Sequence, residues 1–86
     1  MEWKAGQIVQ SRKGRDVTRR YVVLGCDGER LLLANGQKFT LENPKRKNPR
    51  HVNPTAAILP RDKIADNPTI AKALAALAVN APEQGG

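Results

Sequence analysis

The sequence predicts an all-β core, a small barrel of four or five short strands, followed by one short C-terminal α-helix. Three observations predict it. Short runs of β-branched and apolar residues alternate with Gly-containing turn pairs. The central runs carry apolar residues on both faces, which a flat sheet would leave in water. From Asp66 onward the pattern changes to Ala-rich, helix-period spacing.

The elements follow in chain order. "GQIVQS" reads as a first strand, with Ile8 and Val9 as its apolar residues and Gly6 at its entry. "RYVVLG", "ERLLLAN" and "QKFTL" read as a three-stranded meander, joined by Asp27-Gly28 and Asn35-Gly36, pairs that tolerate the positive φ of a type I′ hairpin. If both loops take that form, Val23, Leu32 and Phe39 share one row across the strands. Val22, Leu24, Leu31 and Leu33 then fall on the opposite face and require a cover. A fifth short strand is expected around residues 51–53 or at residues 56–59, since either run lies between prolines and could serve as an edge.

"ADNPTIAKALAALAV" supplies Asp66 or Asn67 as N-cap, Pro68 in the first turn, and Ile70, Leu74 and Leu77 at i, i+4 and i+7. A helix with so narrow a stripe is marginal alone, so it is expected to dock on the apolar face of the meander. The expected organisation is a barrel over residues 1–66, a packed helix over 67–79 and a disordered tail over 80–86.

Fifteen Lys and Arg against eight Asp and Glu give the 86 residues a net charge of +7, which attracts polyanions. The charge is unevenly placed. Residues 1–20 hold six cations and two acids, residues 44–63 hold six cations and one acid, and residues 21–43 are nearly neutral. The neutral middle is the expected core, and the flanking segments are the expected binding surface. In "SRKGRDVTRR", Arg12, Lys13, Arg15, Arg19 and Arg20 can reach phosphate oxygens, with Gly14 allowing close backbone approach; Asp16 reads as a turn-forming acid. In "NPKRKNPRH", prolines bias Asn43 and Asn48 toward extended backbone, so that Lys45, Arg46, Lys47, Arg50 and His51 stand on a pre-extended track. The alternatives are a solubilising hairpin for the first segment and a solvated linker for the second. His51 reads equally as a structural side chain.

Taken together, "GQIVQSRKGRD", "RYVVL", "LLLANGQKFTLENPKRKNPRHVNPT" and the terminal helix resemble the bacterial KOW-domain RNA-binding proteins, which look like a KOW-bearing large-subunit ribosomal protein of archaea and eukaryotes. The resemblance spans residues 6 to about 77. It rests on Gly6, Ser11, the Gly14-Arg15-Asp16 turn, Gly36, the Pro-Lys-Arg-Lys of residues 44–47, and Arg50-His51. Two departures stand out: Val17-Thr18 where family members often carry Lys-Gly, and Asn35-Gly36 where Asp-Gly is usual. The resemblance implies an SH3-like barrel, a cytoplasmic role in translation, and binding of structured, ribosomal RNA without catalysis.

Other classes find little support in the residues. No Ser-His-Asp set, carboxylate pair or GxxxxGK[ST] loop occurs, so no catalytic residue, small-molecule substrate or cofactor is expected. Cys26 has no second cysteine, so no disulfide or metal site is expected, and it reads as a small packed residue. No apolar run long enough for a signal peptide or a membrane span is found, and a cytoplasmic monomer is expected. Trp3, Tyr21 and Phe39 read as core or capping residues, too few to serve as a base-stacking platform. The competing functional readings are a protein-interaction module that contacts the ribosome or the transcription machinery, and nonspecific DNA binding.

Overall fold

A computed structural model describes residues 3–12 and 19–80. The predicted tail beyond residue 80 and the Gly14-Arg15-Asp16 turn lie outside the described residues. The chain forms β1 (Gln7–Ser11), β2 (Arg20–Asp27), β3 (Arg30–Ala34), β4 (Lys45–Lys47), β5 (Val52–Ile58) and α1 (Asn67–Asn80), with 3-10 turns at Pro49–His51 and Arg61–Ile64. The strands make one antiparallel sheet in the order β4-β3-β2-β1-β5.

This order forces the sheet to bend. Its two edges, β4 and β5, are consecutive in the chain and joined only through residues 48–51. Across a flat five-stranded sheet the edges would stand about 19 Å apart, at roughly 4.8 Å per strand. The five Cα steps from Lys47 to Val52 span about 17 Å at full extension, and the 3-10 turn shortens that reach. One apolar cluster accordingly draws on β1, β2, β3 and β5: Val9, Tyr21, Val23, Leu31, Leu33 and Val52, with Trp3 and Phe39 packed against it.

The other face is covered by the helix. Ile8, Val22 and Ala34 of the sheet meet Ile70 and Leu74 of α1, with Leu24, Leu41 and Ile64 around them. Burial of an aliphatic side chain of this size contributes about 1.5–3 kcal/mol, which offsets the weak intrinsic stability of the helix. The side chain of Leu77, the third member of the predicted stripe, lies outside the described residues. Asp66 caps the helix, its carboxylate accepting from the Thr69 N–H at 2.9 Å. Asn67 fastens the preceding loop: its Oδ1 accepts from the Leu41 N–H and its Nδ2 donates to Glu42. The Asn67 bond to Glu42 is the main reason that carboxyl sits below its ordinary pKa, and hydrogen bonding to Thr69 lowers Asp66 in the same way.

Four local expectations are corrected. The β2–β3 loop is Gly28-Glu29 rather than Asp27-Gly28, because Asp27 pairs with Arg30. Gly28, at φ 64°, then supplies the positive φ that a primed two-residue turn needs at its first central position. That change, with a bulge at Leu24, sets Val23 opposite Leu33 and Cys26 opposite Leu31. Leu31 and Leu33 therefore join Val23 in its cluster, and the expected row of Val23, Leu32 and Phe39 does not form.

"QKFTL" is not a strand. The Asn35 carboxamide accepts from the Gln37 and Phe39 N–H groups, while the N–H groups of Asn35 and Gly36 donate to the Phe39 carbonyl. This closed turn competes with the ladder and delivers Phe39 edge-on to Tyr21, with ring centroids 6.2 Å apart. The place beside β3 is taken by Lys45–Lys47 instead.

Both proposed sites for the last strand overlap a single strand, β5, which runs through Pro54; residue 51 falls in the preceding 3-10 turn and residue 59 just past the strand's end. As an edge strand it tolerates the missing N–H, and the Thr55 hydroxyl donates to the Ile8 carbonyl at 2.8 Å beside the irregular pairing. Cys26 is exposed, not packed, because β2 there runs past the covered part of the sheet.

Candidate nucleic-acid interface

The strand register decides which basic residues meet. β1 ends and β2 begins at one end of the sheet, where Gln10 pairs with Arg20 and the Ser11 N–H donates to the Arg19 carbonyl. β5 starts at the same end, with Ser11 opposite Val52 and the Arg12 N–H donating to the His51 carbonyl at 2.9 Å. Two segments far apart in sequence are thereby tied backbone to backbone, which sets Arg12 beside Arg50 and His51. Lys13, Gly14 and Arg15 lie outside the described residues.

The second segment owes its shape to its asparagines and prolines. Asn48 is extended (φ −65°, ψ 130°), as a residue before proline should be, and its side chain accepts from the Arg50 N–H at 2.9 Å, while the His51 N–H donates to the Asn48 carbonyl. Arg50 is thus held exposed on a closed turn.

Arg12 and Arg50 border an open groove of about 360 Å³, with Trp3, Pro49, Asn53 and Pro54 as further walls and Val52 beneath. Arg19 and Arg20 stand at the same end of the sheet but border a separate depression with Asn35, Gln37 and α1 residues Ala71, Leu74 and Ala75. Among the described residues, the side chains of Arg12, Arg19, Arg20 and Arg50 have no carboxylate partner.

β4 departs from the expectation that its cations all point outward. Lys45 and Lys47 sit opposite Leu33 and Leu31, on the face of the first apolar cluster, and are half-buried, whereas Arg46 is exposed. The Lys45 ammonium lies 4.7 Å from the Phe39 ring centroid, a cation–π contact that fixes its direction. Arg46 is engaged by Asp27 at 3.0 Å. A short edge strand made wholly of cations, two of them inward, also blocks edge-to-edge pairing with another chain. Lys45 lies level with Leu33 and Val23, three residues along β2 from Arg20, or roughly 10 Å at strand rise. The basic residues therefore form an end patch and an edge strip.

Trp3 is the residue that charge counting missed. It packs against the core on one side and walls the groove of Arg12 and Arg50 on the other. Its place is set by long-range packing, and the only local hint is that the one tryptophan precedes the first strand by four residues. Among the described residues, no group of three or more His, Cys, Asp or Glu could hold a metal ion, and no helix is long and apolar enough to cross a membrane.

No protein-family model matches the chain, and no curated protein sequence matches it.

Proposed function

We propose that the chain is a non-enzymatic RNA-binding module, an SH3-like barrel of the KOW type that its sequence resembles, which grips the phosphates of a folded RNA through its end patch and β4. Ribosomal RNA in the cytoplasm is the ligand the resemblance implies. The observation that carries the reading is the Arg12–His51 backbone bond. It joins the two basic segments, so that Arg12 and Arg50 present guanidinium groups without carboxylate partners from one rigid place. Cations held in this way attract a polyanion and lose little conformational entropy when it binds.

The test is a charge reversal matched by position. Arg12→Glu with Arg50→Glu should lower affinity for a folded RNA at least about tenfold. Arg61→Glu with Lys63→Glu makes the same change of net charge at the exposed turn before α1 and should cost far less. Equal losses from the two pairs would mean that overall charge, and no particular surface, binds RNA.

A second reading has its own observation. Leu59, Pro60, Lys63, Thr69, Lys72 and Ala73 border an open groove of about 580 Å³ beside α1, and the neighbouring Ile58 is 55% exposed. A protein-interaction module would use that surface. If Lys72→Glu abolished association in cells while the Arg12 and Arg50 reversals left it intact, this reading would replace the first.

A further inference from the structure

The groove between β1 and the Pro49–His51 turn holds more than phosphate binding requires. A phosphate site needs cations and N–H donors; this one has an indole wall, two proline rings and a carboxamide as well. Trp3 is partly buried, packed against the core cluster, and also lines the groove. Pro49 and Pro54 bring apolar surface and no N–H groups that need partners. Asn53 is exposed and carries both a donor and an acceptor on its side chain. The volume, about 360 Å³, lies at the small end of the range for ligand clefts, about 300–1,000 Å³.

We propose that this groove receives one unstacked nucleobase of a folded RNA. The base lies on the Trp3 indole, the Asn53 amide meets its edge, and Arg12 and Arg50 hold the flanking phosphates. Two guanidinium groups without a carboxylate partner among the described residues commit the groove to an anionic occupant, and an aromatic wall suits the base that a nucleotide carries beside its phosphate. One tryptophan serves one base, so the ligand is a bulge or loop within structured RNA, not a long single strand. The inference rests on the RNA-binding reading and adds to it a means of selecting a site.

The chain contains a single tryptophan, so its intrinsic fluorescence reports on the groove without a label. The full chain is titrated with three RNAs: a hairpin with a one-nucleotide bulge, the same hairpin without it, and the bulged hairpin with that base removed. The bulged RNA should quench Trp3 and bind about five-fold or more tightly than the other two, in keeping with one base stacked on an aromatic ring. Substitutions at Trp3 remove the fluorophore, so their binding is followed by the anisotropy of end-labelled RNA, and Trp3→Ala should erase the difference between the three RNAs. Because Trp3 also supports the core, Trp3→Phe, which keeps a ring, should retain most of the preference, and Asn53→Ala should alter which bulged base is preferred while the melting temperature holds.

Equal affinity and equal quenching by all three RNAs would overturn the base site and leave phosphate binding standing. Failure of any RNA to bind at low salt would overturn both, and quenching by an acidic peptide in that case would assign the groove to a protein ligand.

Discussion

Gly36 offers the sharpest test of how the sheet and helix are joined. Its φ of 78° lies in the left-handed region, and a Cβ built there would overlap the Asn67 carbonyl oxygen and approach the Ala71 nitrogen to 2.7 Å. Both are backbone atoms of α1, so no rotamer change relieves the contact, and the turn at Gly36 and the start of α1 must move apart. The strained backbone costs about 1–2 kcal/mol and forced repacking about 1–3 kcal/mol, so Gly36→Ala should destabilise by about 2–5 kcal/mol. A domain of this size loses about 4–8 °C for each kcal/mol, which places the fall in melting temperature at about 10 °C or more. Gly28→Ala is the control: φ is 64° and nothing lies within 4 Å of the added carbon, so only the conformational cost of about 1–2 kcal/mol remains. Thermal unfolding followed by far-UV circular dichroism compares the two. Equal losses would refute the close approach of the Asn35-Gly36 turn to the start of α1.

Asp66→Ala should lower the melting temperature and loosen α1, because it removes the side chain that satisfies the Thr69 N–H. Asp66 and Glu42 both have carboxyls lowered in the folded state. Their contribution is present above the ordinary carboxylate range and is lost as pH falls through it toward the depressed values, so stability should decline below about pH 4 and the Asp66→Ala protein should decline less steeply. Asp27→Asn frees Arg46 from an ion pair whose side chains are 66% and 54% exposed, and such a pair contributes only about 0–1 kcal/mol. It should change stability little and raise RNA affinity a few-fold more than Glu29→Gln, which removes the same charge from the neighbouring turn.

Much of the fold was legible where short-range chemistry decides it. β-branched runs marked β1 and β2, Gly28 marked a hairpin, and the Asp66-Asn67-Pro68 start with Ile70 and Leu74 marked a helix whose apolar face meets the sheet. The details that escaped depend on competition between neighbours. Asn35 was read as half of a hairpin pair, but its carboxamide gathers two N–H groups and closes a wider turn, which displaces residues 37–41 from the ladder. Lys45–Lys47 has no apolar alternation at all; it becomes a strand because the chain must return past β3. The Gly28-Glu29 loop moved the pairing by two residues, which alone keeps every face, and the bulge at Leu24 took one back; the net one-residue slip brought Leu31 and Leu33 to the face of Val23. At the candidate site the charge clusters were visible, whereas the Arg12–His51 bond that joins two of them and the position of Trp3 come from long-range packing.

The central claim is that fixed cations at one end of the sheet and on β4 neutralise RNA phosphates. The salt dependence of binding measures it most directly. With about five phosphates engaged, the logarithm of the association constant for a folded RNA should fall with the logarithm of salt concentration at a slope of about −4 to −5. The Arg12→Glu, Arg50→Glu protein should show a slope shallower by about 2. A flat slope, or one that the double substitution leaves unchanged, would contradict the account.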